Sequence, residues 1–173
     1  MSTLKVGTIQ DHANSITALT IDSAGRVNQP AKPAFRARHD PSGTVGIQNT
    51  IIFNVEDYDI GGNYNTSNGR FTAPVTGIYQ FEFDALASEN SSGGQLADDS
   101  LVHVVFTKNG SEGNWSHRAY YRTTGAAQYN SIYRIDNIQL NAGDYVNVLV
   151  GGKFVYADAS GRYDPVFQGF LVA

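Results

Sequence analysis

The chain has 173 residues, 41% hydrophobic and 16% charged, with net charge −4 and no cysteine. That suffices for one domain with a real core and excludes a wholly disordered chain, a disulfide framework and a thiolate metal site. The acidic balance, with no Lys/Arg cluster beyond Arg36 and Arg38, argues against nucleic acid, and no apolar run is long enough for a membrane-spanning helix.

The opening MSTLKVGTIQDHANS has one lysine and no apolar run long enough for a secretory signal. Leu4, Val6 and Ile9 make a short apolar segment. ITALTI (16–21), with Ile16, Leu19 and Ile21, precedes the turn Asp22-Ser23-Ala24-Gly25 and then Arg26-Val27, which predicts a small hairpin. QPAKPAF follows, and its two prolines restrict the backbone as in a linker. About thirty residues bury too little to stand alone, so this segment must pack on something. The expected division is an attachment segment over 1–30, a Pro-containing linker at 31–33 and a head over 34–173.

Beyond the linker, runs rich in Val, Ile, Phe, Tyr and Thr alternate with turn signals such as Asn68-Gly69, Asn109-Gly110 and Ala142-Gly143-Asp144. Branched and aromatic side chains suit a half-buried pleated surface. The runs predict strands near 34–38, 50–55, 70–73, 77–87, 101–107, 115–122, 130–139, 144–151 and 166–172, with loops over 56–66 and 88–99. No stretch keeps a helical period, so the head is an all-β sandwich or barrel. On the 77–87 strand Tyr79, Phe81 and Phe83 share one face, and Gln80, Glu82 and Asp84 share the other.

Catalysis finds little footing. His12, His39, His103 and His117 are scattered without metal-ligand spacing, and no G-x-S-x-G stretch occurs. The Asn-x-Ser/Thr triplets at Asn65, Asn90, Asn109 and Asn114 read as turn composition. Glu89, Asp98 and Asp99 bracket a Gly-rich loop, and Asp57 and Asp59 lie in another. Hard carboxylate oxygens suit calcium, the one cofactor the residues admit, against a default of solvated acidic loops. Trp115, Arg118, Tyr120, Tyr121, Arg122, Tyr129 and Tyr133 crowd one region. Exposed rings there would stack on sugars, while alternate members would serve as core or intersubunit contacts.

Phe53, Asp59, Tyr64, Phe71, Gly77, Tyr79, Phe81 and Phe83, at these spacings, resemble the signature of the complement C1q globular head, a jelly-roll family related to tumour necrosis factor. PAFRA (33–37), IQLNAGDYVNVLV (138–150) and VFQGFLVA (166–173) resemble its first strand, late hairpin and closing strand. The resemblance implies a jelly roll of about ten strands in two antiparallel sheets. It also implies a homotrimer packed around an axis through aromatic and apolar contacts, with the eight signature residues serving core or trimer. In some members calcium binds near that axis.

STLKVGTIQ with ITALTIDSAGRV resembles leader segments of small structural proteins in tailed bacteriophages. Together the two resemblances imply a non-enzymatic virion protein, assembled in the host cytoplasm and displayed on the particle surface. Leu4, Val6, Ile9, Ile16, Leu19 and Ile21 would anchor it to other virion proteins. The head would act as an adhesin at a tail or fibre tip, touching host surface glycan or protein. The alternative is a capsid decoration or head-fibre protein bracing threefold positions of the shell, since the chain carries no shaft repeat.

Overall fold

The computed structural model describes residues 5–40, 49–89, 94–112, 118–124, 130–157 and 164–173. Fifteen strands and no helix occur among them. The head is a sandwich of two six-stranded antiparallel sheets. The first is built from β4 (Ala34–Arg38), β6 (Val55–Ile60), β9 (Gly77–Ser88), β12 (Asn130–Leu140), β14 (Phe154–Tyr156) and β15 (Val166–Leu171). Its order is β12-β9-β15-β4-β6, with β14 beside the end of β9. The second holds β5 (Asn49–Thr50), β7 (Tyr64–Asn65), β8 (Arg70–Thr72), β10 (Leu101–Lys108), β11 (Arg118–Arg122) and β13 (Tyr145–Gly151), in the order β11-β10-β13-β8-β7 with β5 beside β13. The leader forms a separate three-stranded meander of β1 (Thr8–Gln10), β2 (Thr17–Ile21) and β3 (Val27–Asn28). The expected hairpin over 16–27 is thus widened by Thr8–Gln10, which pairs with the far edge of β2.

The core is aromatic and drawn from both sheets. Phe35 stacks on Tyr64 and Phe71 at 4.9 Å and meets the edge of Phe167 at the same distance. Phe81 lies 5.6 Å from Phe71, 5.8 Å from Phe167 and 6.2 Å from Phe106. Offset and edge-on ring pairs add about 0.5–1.5 kcal/mol each to the burial of these large side chains. Gly77 admits no side chain at the mouth of β9: a Cβ there would lie 2.6 Å from Leu171 Cδ1 and 2.7 Å from the Ala173 carbonyl.

Two expectations are corrected. The run 50–55 is not one strand. Its first residue belongs to β5 in the second sheet, its last begins β6 in the first, and 51–54 carries the chain between the sheets. Ile51 and Phe53 are nevertheless buried and Ile52 exposed, so the alternation reports burial correctly and pairing wrongly. The expected 56–66 loop contains most of β6 and all of β7. Strand β14 had no counterpart among the expected strands. Of the expected 115–122 strand, the described part is Arg118–Arg122.

The β12–β13 turn is clamped by Asp144. Its carboxylate accepts hydrogen bonds from Lys108 Nζ at 2.8 Å, Asn109 Nδ2 at 2.7 Å and the Asn141 amide at 2.8 Å. Asn109 and Gly110 hold the facing turn with φ of +53° and +75°, values that Asn and Gly tolerate best. The lysine, ahead of the other donors, brings the Asp144 pKa down from 3.8 to about 2.

Two outcomes follow from this packing. Phe81→Ala should lower the stability of the head by about 3–5 kcal/mol in chemical denaturation, because the site is fully buried. An unchanged midpoint would mean that β9 presents its other face to the core. For Asp144 the folded pKa lies below the unfolded one. Its stabilisation is therefore complete above pH 3.8 and lost as the pH falls towards about 2. The melting temperatures of the wild type and Asp144→Ala should differ at neutral pH and converge as acid is added. A gap that persists at low pH would remove the charge as the cause.

Candidate self-association face

Strand β9 turns Tyr79, Phe81 and Phe83 into the sandwich and Ile78, Gln80, Glu82 and Asp84 away from it. Register places Tyr133 beside Asp84, Ile135 beside Glu82, and Phe170 beside Gln80, all on the same outer face. Tyr58 lies opposite Arg36 and Ile60 opposite Ala34, so β6 adds two more apolar side chains. Six large apolar residues are therefore exposed on one sheet face: Tyr58, Ile60, Ile78, Tyr133, Ile135 and Phe170.

Strand β12 departs furthest from the usual burial pattern. Ile132, Ile138 and Leu140 point into the core. Between them, at the same inward parity, stand Arg134 and Asp136, paired at 2.8 Å with side chains 13% and 23% exposed. The outward neighbours are Tyr133 at 61% and Ile135 at 53% exposure. For these four residues the usual order is inverted, with charges inside and apolar groups outside.

A polar row crosses the same face. Gln168 Nε2 donates to Glu82 at 2.6 Å, and Arg36 Nη1 donates to Gln168 Oε1 at 2.8 Å. Arg36 and Arg38 share Asp57 at 3.0 and 3.3 Å, and Arg38 also reaches Asp164 at 3.1 Å.

The eight signature residues lie elsewhere. Phe53, Tyr64, Phe71, Tyr79, Phe81 and Phe83 are core. Asp59 Oδ2 accepts the Tyr64 amide at 2.8 Å, and Gly77 packs on the C-terminus. Among the recognition candidates, Tyr120 is exposed and lies 5.6 Å from His103, whose ring occupies the space a side chain at Gly151 would need. Arg122 is exposed and paired with Asp99 at 2.5 Å. Tyr121 points the other way, against the core, and its hydroxyl accepts the Tyr133 amide at 3.1 Å. Burial raises its pKa. The backbone of Arg118 pairs with Val105. Trp115, His117 and Tyr129 lie outside the described residues, as does Leu4 of the leader set. Val6, Ile9, Ile16 and Ile21 are exposed, and Leu19 is half-buried. Sequence reasoning passed over Tyr58, Ile60, Ile78, Ile135 and Phe170. For Tyr58, Ile60 and Ile78 the signal available was the alternate parity to a signature residue on the same strand, and for Ile135 and Phe170 it was the alternation within their own strands.

Two carboxylates of the acidic loop, Glu89 and Asp99, already have protein partners. Glu89 is paired with Lys153 through one oxygen. Its other oxygen accepts from Ser100 Oγ at 2.9 Å and the Ala97 amide at 3.0 Å. The Lys153 contact, first among these, lowers its pKa. Asp99 is held by Arg122. Among the described residues no group of three or more His, Asp or Glu side chains converges as a metal site. Millimolar calcium or chelator should therefore leave the melting temperature unchanged. A reproducible rise with calcium would show a site that these ion pairs do not occupy.

Comparison with known proteins agrees with this architecture. The family model "C1q domain" matches residues 34–172. Complement C1q tumor necrosis factor-related protein 3 of Mus musculus is 31% identical over 123 residues, 70% of this chain. The match spans 44% of that relative's length. The globular domain of zebrafish complement 1qA protein superposes with a TM-score of 0.56 at 18% identity, covering 82% of this chain and 98% of its own. Eiger TNF from S. frugiperda gives a TM-score of 0.57 at 12% identity, covering 83% and 94%. At those identities the likeness is one of fold, the two-sheet jelly roll described above. From Ala34 onward the chain belongs to the C1q domain family.

Proposed function

We propose that three copies pack through the outer face of the first sheet into a non-enzymatic head, carried on a bacteriophage particle by the leader and turned outward to meet the host surface. The observation that carries the assembly is the inverted polarity of β12. An edge strand that hides Arg134 and Asp136 and presents Tyr133 and Ile135 is stable in water only at a cost that a neighbour removes. The C1q and tumour necrosis factor relationship supports the same number of copies. The virion role is supported by the leader's resemblance to phage structural proteins. The exposed apolar residues Val6 and Ile16 of that leader support an attachment role. The decoration reading keeps the same trimer and leader and differs in position. A labelled chain at the tail tip would support adhesion, and label spread over the shell would support decoration.

The test of assembly is light scattering on the purified chain. The wild type should give three times the 18.7 kDa chain mass. Ile135→Arg, which places a charge on the covered face and leaves the core untouched, should give a folded species of a single chain mass. A wild-type monomer at all concentrations, or an Ile135→Arg trimer as stable as the wild type, would overturn the assignment.

A further inference from the structure

The leader meander has an apolar face of its own. Ile9 lies opposite Leu19, and Ile21 opposite Val27, so the four side chains share one side of the sheet. Thr8, Thr20 and Asn28 take the other side. Ile9 is 47% exposed, Ile21 41% and Val27 62%. The leader's Asp22–Arg26 ion pair is spent within the β2–β3 turn, where Asp22 also accepts the Ala24 and Arg26 amides. The face made by Ile9, Leu19, Ile21 and Val27 itself carries no charged side chain.

We infer that this face is covered by neighbouring copies of the same chain, so that the three leaders pack together as a continuation of the head's association face. The inference rests on the trimer proposed above. Its first support is continuity. A groove of about 500 Å³ runs beside the linker, lined by Val27, Gln29 and Lys32 on one bank and by Ala34, Ile60 and Phe170 on the other. Ile60 and Phe170 belong to the association face, so a neighbour that covers them comes up against Val27. The second support is area. A standard interface removes ~800 Å² from each partner, and each protomer in a threefold ring makes two such contacts. Six half-exposed side chains, at roughly 100 Å² each, fall well short of the apolar share of that area. The leader's Ile9, Ile21 and Val27 bring the surface closer to what is needed. The third is local stability. A short three-stranded sheet with one face open to water is marginal by itself, and packing against two copies supplies the missing burial. A particle would then meet a single threefold base in place of three separate tails, with the gain in avidity that linkage brings.

The chain lacks cysteine, so a single substitution introduces a unique thiol. Val27→Cys and Ile21→Cys, both at exposed positions, are labelled with a maleimide in the wild-type background and in the Ile135→Arg background. Asn68→Cys, on an exposed head turn, is the control. The two leader thiols should react about tenfold more slowly in the trimer than in the Ile135→Arg monomer, while the control reacts equally in both. Equal leader rates in a trimer confirmed by light scattering would overturn this inference and leave the trimer standing. Protection that appears only when particles are added would also overturn it, assigning the face to a particle protein. A wild-type chain that scatters as a monomer would remove the trimer and this inference with it.

Discussion

Strand β9 is paired along both edges. β12 runs beside eleven of its residues on one side. On the other side β15 pairs with Tyr79–Asp84 and β14 continues with Leu86–Ser88. A strand so enclosed cannot slip without breaking both ladders, and a slip of one residue would exchange its faces. Its register therefore decides which residues become core and which become surface for the whole first sheet. Tyr79 and Phe81 meet rings supplied by the second sheet, Phe83 meets Phe53 in the segment that crosses between the sheets, and this aromatic layer holds the two sheets together. Everything outward of β9 is positioned as a consequence: Ile135 and Gln168 flank Glu82, and Asn137 and Phe170 flank Gln80.

Long alternating segments were legible because burial and pairing coincide in them. The expected 77–87 strand is β9, and the expected 130–139 strand is β12. Where burial and pairing separate, reading failed. Ile51 and Phe53 alternate with Ile52 as a strand does, yet the chain there leaves one sheet for the other, a tertiary event that local pattern does not carry. VEDYDI reads as an acidic loop. It is an edge strand whose carboxylates are useful, Asp57 to two arginines and Asp59 to the Tyr64 amide. Charges on an edge also discourage unwanted strand addition.

The association face was less legible than the fold for a related reason. Family resemblance rests on residues that any copy of this sandwich needs, and those are core. The surface proposed to meet a neighbour uses the same residue types at the opposite parity, so composition cannot separate the two sets. Only β12 breaks the symmetry, and recognising the break requires knowing that Ile132 and Ile138 point inward. The aromatic cluster around 115–133 divides by the same rule. Tyr121 packs inward and Tyr120 outward, one residue apart on one strand.

The polar row across the face then answers a difficulty that burial would create. Covering a charge is costly unless it is paired and hydrogen-bonded. Here Arg36, Arg38, Asp57, Asp164, Gln168 and Glu82 find partners within their own protomer, through contacts of 2.6–3.3 Å. Each of these six side chains already has a polar partner inside the protomer, so a neighbour needs chiefly to fit against the apolar ones. Networks satisfied in this way also hold their members rigid, which lowers the entropy lost on contact. The row spans β9, β15, β4 and β6, so it stiffens the sheet between the Tyr133–Ile135 end and the Tyr58–Ile60 end. In a cyclic assembly these opposite ends of one face are the surfaces brought towards successive neighbours. A rigid sheet between them fixes the angle at which one contact leads to the next, and that angle decides whether three copies close.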